Sequence, residues 1–142
     1  MSRLYPKQPI VGVGVVVWRD EYVLLVKRGK PPRVGQWSLP GGAQKLGETL
    51  AETARREVRE ETSIEIDLGE IIATLDLIER DEAGDVRHHY TLVDFVAEGL
   101  AADLSAGDDA ADACWFSRSE IDQLDLWSET VRIIELAARK RG

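Results

Sequence analysis

The chain has 142 residues, of which 44% are apolar and 31% charged, and its formal net charge is -8. That size and balance suit a single globular domain spanning 1–142 and exclude a disordered tail or a disulfide-stapled miniature. A pI near 4.8 argues against binding to nucleic-acid polymers, and the single cysteine, Cys114, permits no internal disulfide.

The first apolar run, Val11 to Trp18, is too short and too interrupted by glycine to span a bilayer, and no export signal precedes it. A cytoplasmic location with no membrane partner is therefore expected. Ile10 to Trp18 reads as a strand, with Gly12 and Gly14 leaving one face bare for close approach of another element or a ligand. Asp20-Glu21 makes a turn, and Tyr22 to Lys27 is a second strand of β-branched and aromatic character. Gly29 to Gly35, with Pro31 and Pro32, is a loop. Trp37 to Leu39 is a very short strand, stopping where Pro40-Gly41-Gly42 must turn.

A helix follows from Glu48 to Thr62. Thr49 and Glu52 have the spacing of a capping box, and Leu50, Ala54 and Val58 recur as an apolar stripe for docking on a sheet. Beyond it, Ile71 to Ile78 and Arg87 to Ala97 read as strands separated by a charged hairpin loop, Glu79 to Asp85. Gly99 to Ala111 is acidic and turn-rich, and Ala113 to Phe116 returns to the sheet with Cys114 as a structural thiol. Ser117 and Glu120 open a short capped helix. The last helix runs from Ser128 to about Arg139, with Val131, Ile134 and Ala138 as its apolar face. Strands and helices alternate irregularly, so the expected layout is one mixed sheet covered on both faces by helices.

Two charge patterns point to a site. Between Tyr22 and Gly47 there is no acidic residue, while Lys27, Arg28, Lys30, Arg33 and Lys45 are all basic. Such a segment on an acidic protein attracts a small polyanion locally. On the helix, Glu57, Glu60 and Glu61 share one face, with Arg56 four residues before Glu60. Clustered carboxylates are oxygen donors for a hard divalent cation. Gly41 and Gly42, just before the helix, offer open backbone N–H groups to phosphate oxygens. Together the two patterns describe a site for a metal–phosphate complex.

The run Gly42-Ala-Gln-Lys-Leu-Gly-Glu48, then Arg56-Glu57-Val58-Arg59-Glu60-Glu61-Thr62-Ser63-Ile64, resembles the Nudix box, departing from it only where Ser63 replaces a glycine. A serine is expected to end the helix there without a positive φ. Val13 to Arg28 and Gly35 to Gly42 resemble the usual lead-in to that box. The resemblance implies an α/β fold, a Nudix-type α/β/α sandwich with a mixed β-sheet. It also implies hydrolysis of a diphosphate linkage in a nucleotide-like small molecule, with Mg²⁺, or Mn²⁺ in its place.

By the same resemblance Glu57, Glu60 and Glu61 are the metal ligands, and Arg56 orients Glu48 and Glu57. Glu57 or Glu61 takes the proton, or an acidic residue from a distant loop contributes, Asp109 ahead of Asp108 and Asp112. Arg28, Arg33, Trp37, Gly41 and Gly42 are assigned to the substrate, with Trp18 and Tyr90 as further candidates for its pocket. His88 and His89 are too isolated for a zinc site and fall to a structural or rim role. ADP-ribose-type substrates come first, although Glu79 stands where the family members with that activity carry proline. Nucleoside or deoxynucleoside triphosphates come second, and a non-enzymatic nucleotide-sensing domain is the alternative of another class. A homodimer is left open.

Overall fold

The computed structural model describes residues 3–29, 34–107 and 110–141. Strands β1 (Ile10–Arg19) and β2 (Tyr22–Arg28) form a hairpin whose turn holds Asp20 at φ 53°. They pair only beside that turn, Trp18 with Val23 and Arg19 with Tyr22, and then part. Residues 37–43 fill the split. Strand β3 (Trp37–Ser38) pairs with β2, and β4 (Gly41–Ala43) pairs with β1. Between them the Val15 N–H donates to the Pro40 carbonyl at 3.0 Å. The turn expected at Pro40 to Gly42 is thus a strand-to-strand passage. It needs glycine, because a Cβ at Gly41 would lie 2.0 Å from the Val13 carbonyl oxygen.

Helix α1 (Leu50–Thr62) comes next, then the long hairpin of β5 (Ile66–Arg80) and β6 (Val86–Gly99). Both strands outrun their expected lengths. Register shifts between Leu68 and Ile71, and again between Ile71 and Ala73, break the two-residue alternation by which the start of β5 would be recognised. The hairpin turn is tied by Asp81, whose carboxylate accepts from the Ala83 and Asp85 N–H groups. Strand β6 also pairs in parallel with β1, Ile10 to Trp18 against Tyr90 to Glu98. Strand β7 (Ala110–Ser117) then pairs antiparallel with β2.

The sheet order is β3-β2-β1-β6-β5, with β4 on β1 and β7 on β2. Alternate residues of β1 feed two cores. Val13, Val15 and Val17 pack with Ala54 and Val58 of α1, while Val16 and Trp18 pack with Ile133, Ile134 and Ala137 of α3 (Ser128–Arg141). Each fully buried valine contributes about 1.5–3 kcal/mol, so the strand anchors a helix on each face. The short α2 (Arg118–Ile121) carries the expected capping box of Ser117 and Glu120. On α3 the expected Ile134 and Ala138 do face the core, joined by Ile133 and Ala137, while Val131 is 38% exposed. Two adjacent four-residue apolar stripes exist on this helix, and the sheet takes the seam between them.

Of the two approaches expected at Gly12 and Gly14, it is another element, the neighbouring strand, that comes close. A Cβ at Gly12 would meet Leu92 at 2.8 Å, and one at Gly14 would meet the Asp94 carboxylate at 2.5 Å. Among the described residues no helix is long and apolar enough to cross a membrane.

Candidate active site

The capping box at the start of α1 is complete. The Glu52 N–H donates to Thr49 Oγ1 at 3.1 Å, and the Thr49 N–H to Glu52 Oε1 at 2.9 Å. With Ala54 and Val58 buried against the sheet, the helix is fixed in rotation. Its next face therefore presents Arg56, Glu57 and Glu60 to the loop from β4.

Arg56 is the hub. Its Nε donates to Glu48 Oε2 at 2.5 Å and its Nη2 to Glu48 Oε1 at 2.9 Å, the bidentate match of a guanidinium to a carboxylate. Nη2 also reaches the Ala43 carbonyl at 3.1 Å, and Nη1 reaches Glu57 at 2.7 Å and Glu60 at 3.2 Å. The guanidinium is only 13% exposed. The hydrogen bonds from Arg56, with those from the Lys45 N–H and Thr53, hold the Glu48 carboxyl down at about 2. The same carboxylates raise the Arg56 pKa, so this cation is permanent. One guanidinium thus draws together three carboxylates that would otherwise repel.

The two glycines serve these carboxylates. The Gly41 N–H donates to Glu61 Oε1 at 2.8 Å, so this amide is committed to a side chain rather than left open for phosphate as expected. A Cβ at Gly42 would sit 2.5–2.6 Å from the Glu57 carboxyl atoms. Glycine there is the space in which Glu57 lies.

At the far end of α1, Ser63 corrects a second expectation. It adopts φ 66° and ψ 16°, the left-handed cap conformation, with its N–H bonded to the Arg59 carbonyl. For a side chain that conformation costs about 1–2 kcal/mol.

On the α3 side a cavity of about 1160 Å³ is lined by, among others, Arg28, Trp37, Leu77, His88, Tyr90 and Trp127. Trp37 belongs to wall and core together: its ring meets Phe116 edge-on at 4.9 Å, and Lys27 Nζ lies 6.0 Å from its centroid. Tyr90 stacks with His88 at 6.3 Å. Trp18, by contrast, is buried at the other end of β1 beneath Arg141 and takes no part in this wall. Ser38 in the wall and Gly41 against Glu61 are joined by Leu39 and Pro40 alone. Their Cα atoms therefore lie within about 11 Å of each other.

Among the remaining candidates, Asp112 is exposed and accepts from the Ala113 N–H at 2.8 Å. Arg33, Lys30, Asp108 and Asp109 lie outside the described residues. His88 lies on the cavity wall, 3.9 Å from Glu79. Cys114 is half-buried, and burial raises its pKa, which fits a structural thiol. Leu77, Trp127 and Thr130 line the cavity but carry no local signal in the sequence, since only the fold brings them together.

The NUDIX domain family matches residues 8–137. The chain belongs to the NUDIX family. It is similar to the ADP-ribose pyrophosphatase of Methanocaldococcus jannaschii, 33% identical over 122 residues covering 86% of this chain and 69% of that one. It is also similar to the nucleoside triphosphatase NudI of an Enterobacter species, 31% identical over 107 residues, 70% of this chain and 73% of that one. Among solved structures, the NUDIX domain of Shewanella oneidensis NrtR, complexed with ADP ribose, superposes with a TM-score of 0.80 at 25% identity. It covers 96% of this chain and 91% of that one. As a NUDIX hydrolase, the chain is an α/β enzyme acting on phosphorus anhydrides.

Members of this family generally use a divalent metal, and the donor set suits one. The NUDIX carboxylates on α1 are hard oxygen donors, and the space at Gly42 is already shaped to a carboxyl group. Among the described residues no three acidic, histidine or cysteine side chains form a ready-made cage. Glu57 and Glu60 are instead held by Arg56, and Glu61 by Gly41.

Proposed function

We propose that this NUDIX hydrolase cleaves the diphosphate linkage of an ADP-ribose-type substrate in a divalent-metal-dependent reaction. The observation that carries the reading is the Arg56-centred carboxylate cluster joined by residues 37–43 to a large aromatic cavity. The nucleoside portion occupies the cavity against Trp37 and Tyr90, and Arg28 meets the phosphates. The diphosphate extends past Ser38 toward Gly41. Glu57, Glu60 and Glu61 would hold Mg²⁺, or Mn²⁺ in its place, and the ion when bound supplies charge neutralisation at phosphate and an activated water. Arg56 and Glu48 orient Glu57, and Glu57 or Glu61 takes the water's proton.

The cavity's volume of about 1160 Å³ stands just above the usual range for ligand sites, roughly 300–1,000 Å³. That favours a substrate with groups on both sides of the diphosphate. The similarity to a nucleoside triphosphatase supports a second reading, pyrophosphohydrolysis of nucleoside or deoxynucleoside triphosphates.

A hydrolysis screen with and without Mg²⁺ decides between them. ADP-ribose, other sugar nucleotides, dinucleoside polyphosphates and triphosphates are compared by kcat/KM, with products identified. Release of AMP and a sugar phosphate from ADP-ribose is the expected result. Preferred release of pyrophosphate from a triphosphate would replace the substrate assignment. Tight ADP-ribose binding without turnover in any metal would support a sensing domain instead.

A further inference from the structure

The last turn of α1 carries Glu60 and Glu61, and a helix end leaves its final carbonyls without partners inside the helix. Here those partners come from a remote segment. The Ser105 N–H donates to the Thr62 carbonyl at 3.1 Å, and the Gly107 N–H donates to the Glu61 carbonyl at 3.2 Å. Gly107 approaches so closely that a Cβ there would sit 2.6 Å from the Glu60 carbonyl oxygen. Residues 105–107 therefore form a strap across the backbone of the two carboxylate-bearing residues themselves.

One side chain fastens the strap from the helix side. Ser63 Oγ donates to the Ser105 carbonyl at 3.1 Å, a contact between residues 42 positions apart. Ser63 does so from a left-handed backbone, φ 66°, in which glycine would be at ease. Glycine would make the cap easier to form and would lose the fastening.

We infer that Ser63 is a positioning residue. It latches the strap onto the end of α1 and so fixes the carboxylates of Glu60 and Glu61. Its effect on turnover rests on the hydrolytic reading above. Helix ends fray, and a last turn that opens carries both carboxylates away from Arg56 and Gly41.

Ser63→Gly separates positioning from stability, since it relieves the backbone while deleting the hydroxyl. Ser63→Asn is the conservative partner, because asparagine accepts the left-handed conformation and keeps a side-chain donor. The full-length wild type and both variants are compared by amide hydrogen exchange, thermal melting and steady-state kinetics. In Ser63→Gly the Ser105 and Gly107 amides should exchange about fivefold faster, with no fall in Tm. Its kcat should drop about five- to twentyfold at an unchanged KM, and Ser63→Asn should recover most of both losses.

Unaltered exchange at Ser105 and Gly107 in Ser63→Gly overturns the latch. Faster exchange with wild-type kcat overturns the positioning role. The exchange measurement needs no turnover. A wild type inert toward every anhydride, with a strap that loosens in Ser63→Gly, would support the latch and sink the hydrolytic reading.

Discussion

Replacing Gly42 with alanine tests the carboxylate site with a single methyl group. The new Cβ would stand 2.6 Å from both Glu57 carboxylate oxygens and 2.5 Å from the carbon between them. Ordinary contact begins near 3.4 Å, so the carboxylate must retreat by about 0.8 Å. That retreat stretches its 2.7 Å bond from Arg56 to about 3.5 Å, beyond a useful hydrogen bond. Stability should hardly change. Gly42 has no positive φ, the displaced group is the tip of a flexible side chain, and a glycine-to-alanine change restricts the unfolded chain by about 0.4–1 kcal/mol. Turnover should suffer, since misplacement by about 1 Å costs on the order of a hundredfold. We expect kcat on the best substrate to fall by about that factor, with KM within twofold of wild type and Tm unchanged. A Gly42→Ala enzyme that keeps at least half the wild-type kcat would refute the assignment of this space to Glu57.

Three further perturbations probe the site and the sheet that carries it. Arg56→Lys keeps one positive charge but cannot reach Glu48, Glu57 and Glu60 together, so kcat/KM should fall about 10–100-fold while circular dichroism stays native; unchanged kinetics would end the orienting role. Arg28→Glu should raise KM more than it lowers kcat, and the penalty should shrink between low and high salt; a KM that stays put at low salt would remove Arg28 from the phosphate contacts. Asp94 is buried at the sheet, and desolvation raises its pKa from the ordinary 3.8 to about 6. The folded state therefore disfavours the charged form: the penalty is absent below pH 3.8, grows through about 6 and is complete above it, at about 3 kcal/mol. Asp94→Asn should accordingly melt higher than wild type at pH 7.5 and converge with it near pH 4, as thermal melts across that range will show.

The sequence was most legible where local chemistry repeats at short spacing. The capping box at Thr49, the apolar pair Ala54 and Val58, and the Arg56–Glu60 pair all follow from one helix, whereas the Glu48–Arg56–Glu57 arrangement came from the resemblance to the Nudix box. The cavity was legible only in part. Trp37, Arg28 and Tyr90 could be nominated by type, but Leu77 and Trp127 join them only through the pairing of β5 with β6 and the packing of α3. The glycines were legible as points of close approach, and only the fold says what approaches: Leu92 at Gly12, Asp94 at Gly14 and the Glu57 carboxylate at Gly42. Ser63 misled because propensity places serine outside the left-handed region, whereas its hydroxyl finds a partner 42 residues away, and no local rule contains that distance.

The parallel pairing of β1 with β6 bears on how portable this site is. Every side chain of the Arg56 hub lies between Gly41 and Glu61, so the chemistry looks like a cassette to be cut out and grafted. Yet β1, on which α1 rests, has one edge closed by residues 90–98. During synthesis the hub residues emerge from the ribosome well before the strand that completes their platform. Contacts so distant in sequence cost loop closure before they repay it, and they slow folding. A fragment ending after α1 should therefore be a loose chain with the right residues and no site, and transplanting the motif means transplanting the sheet.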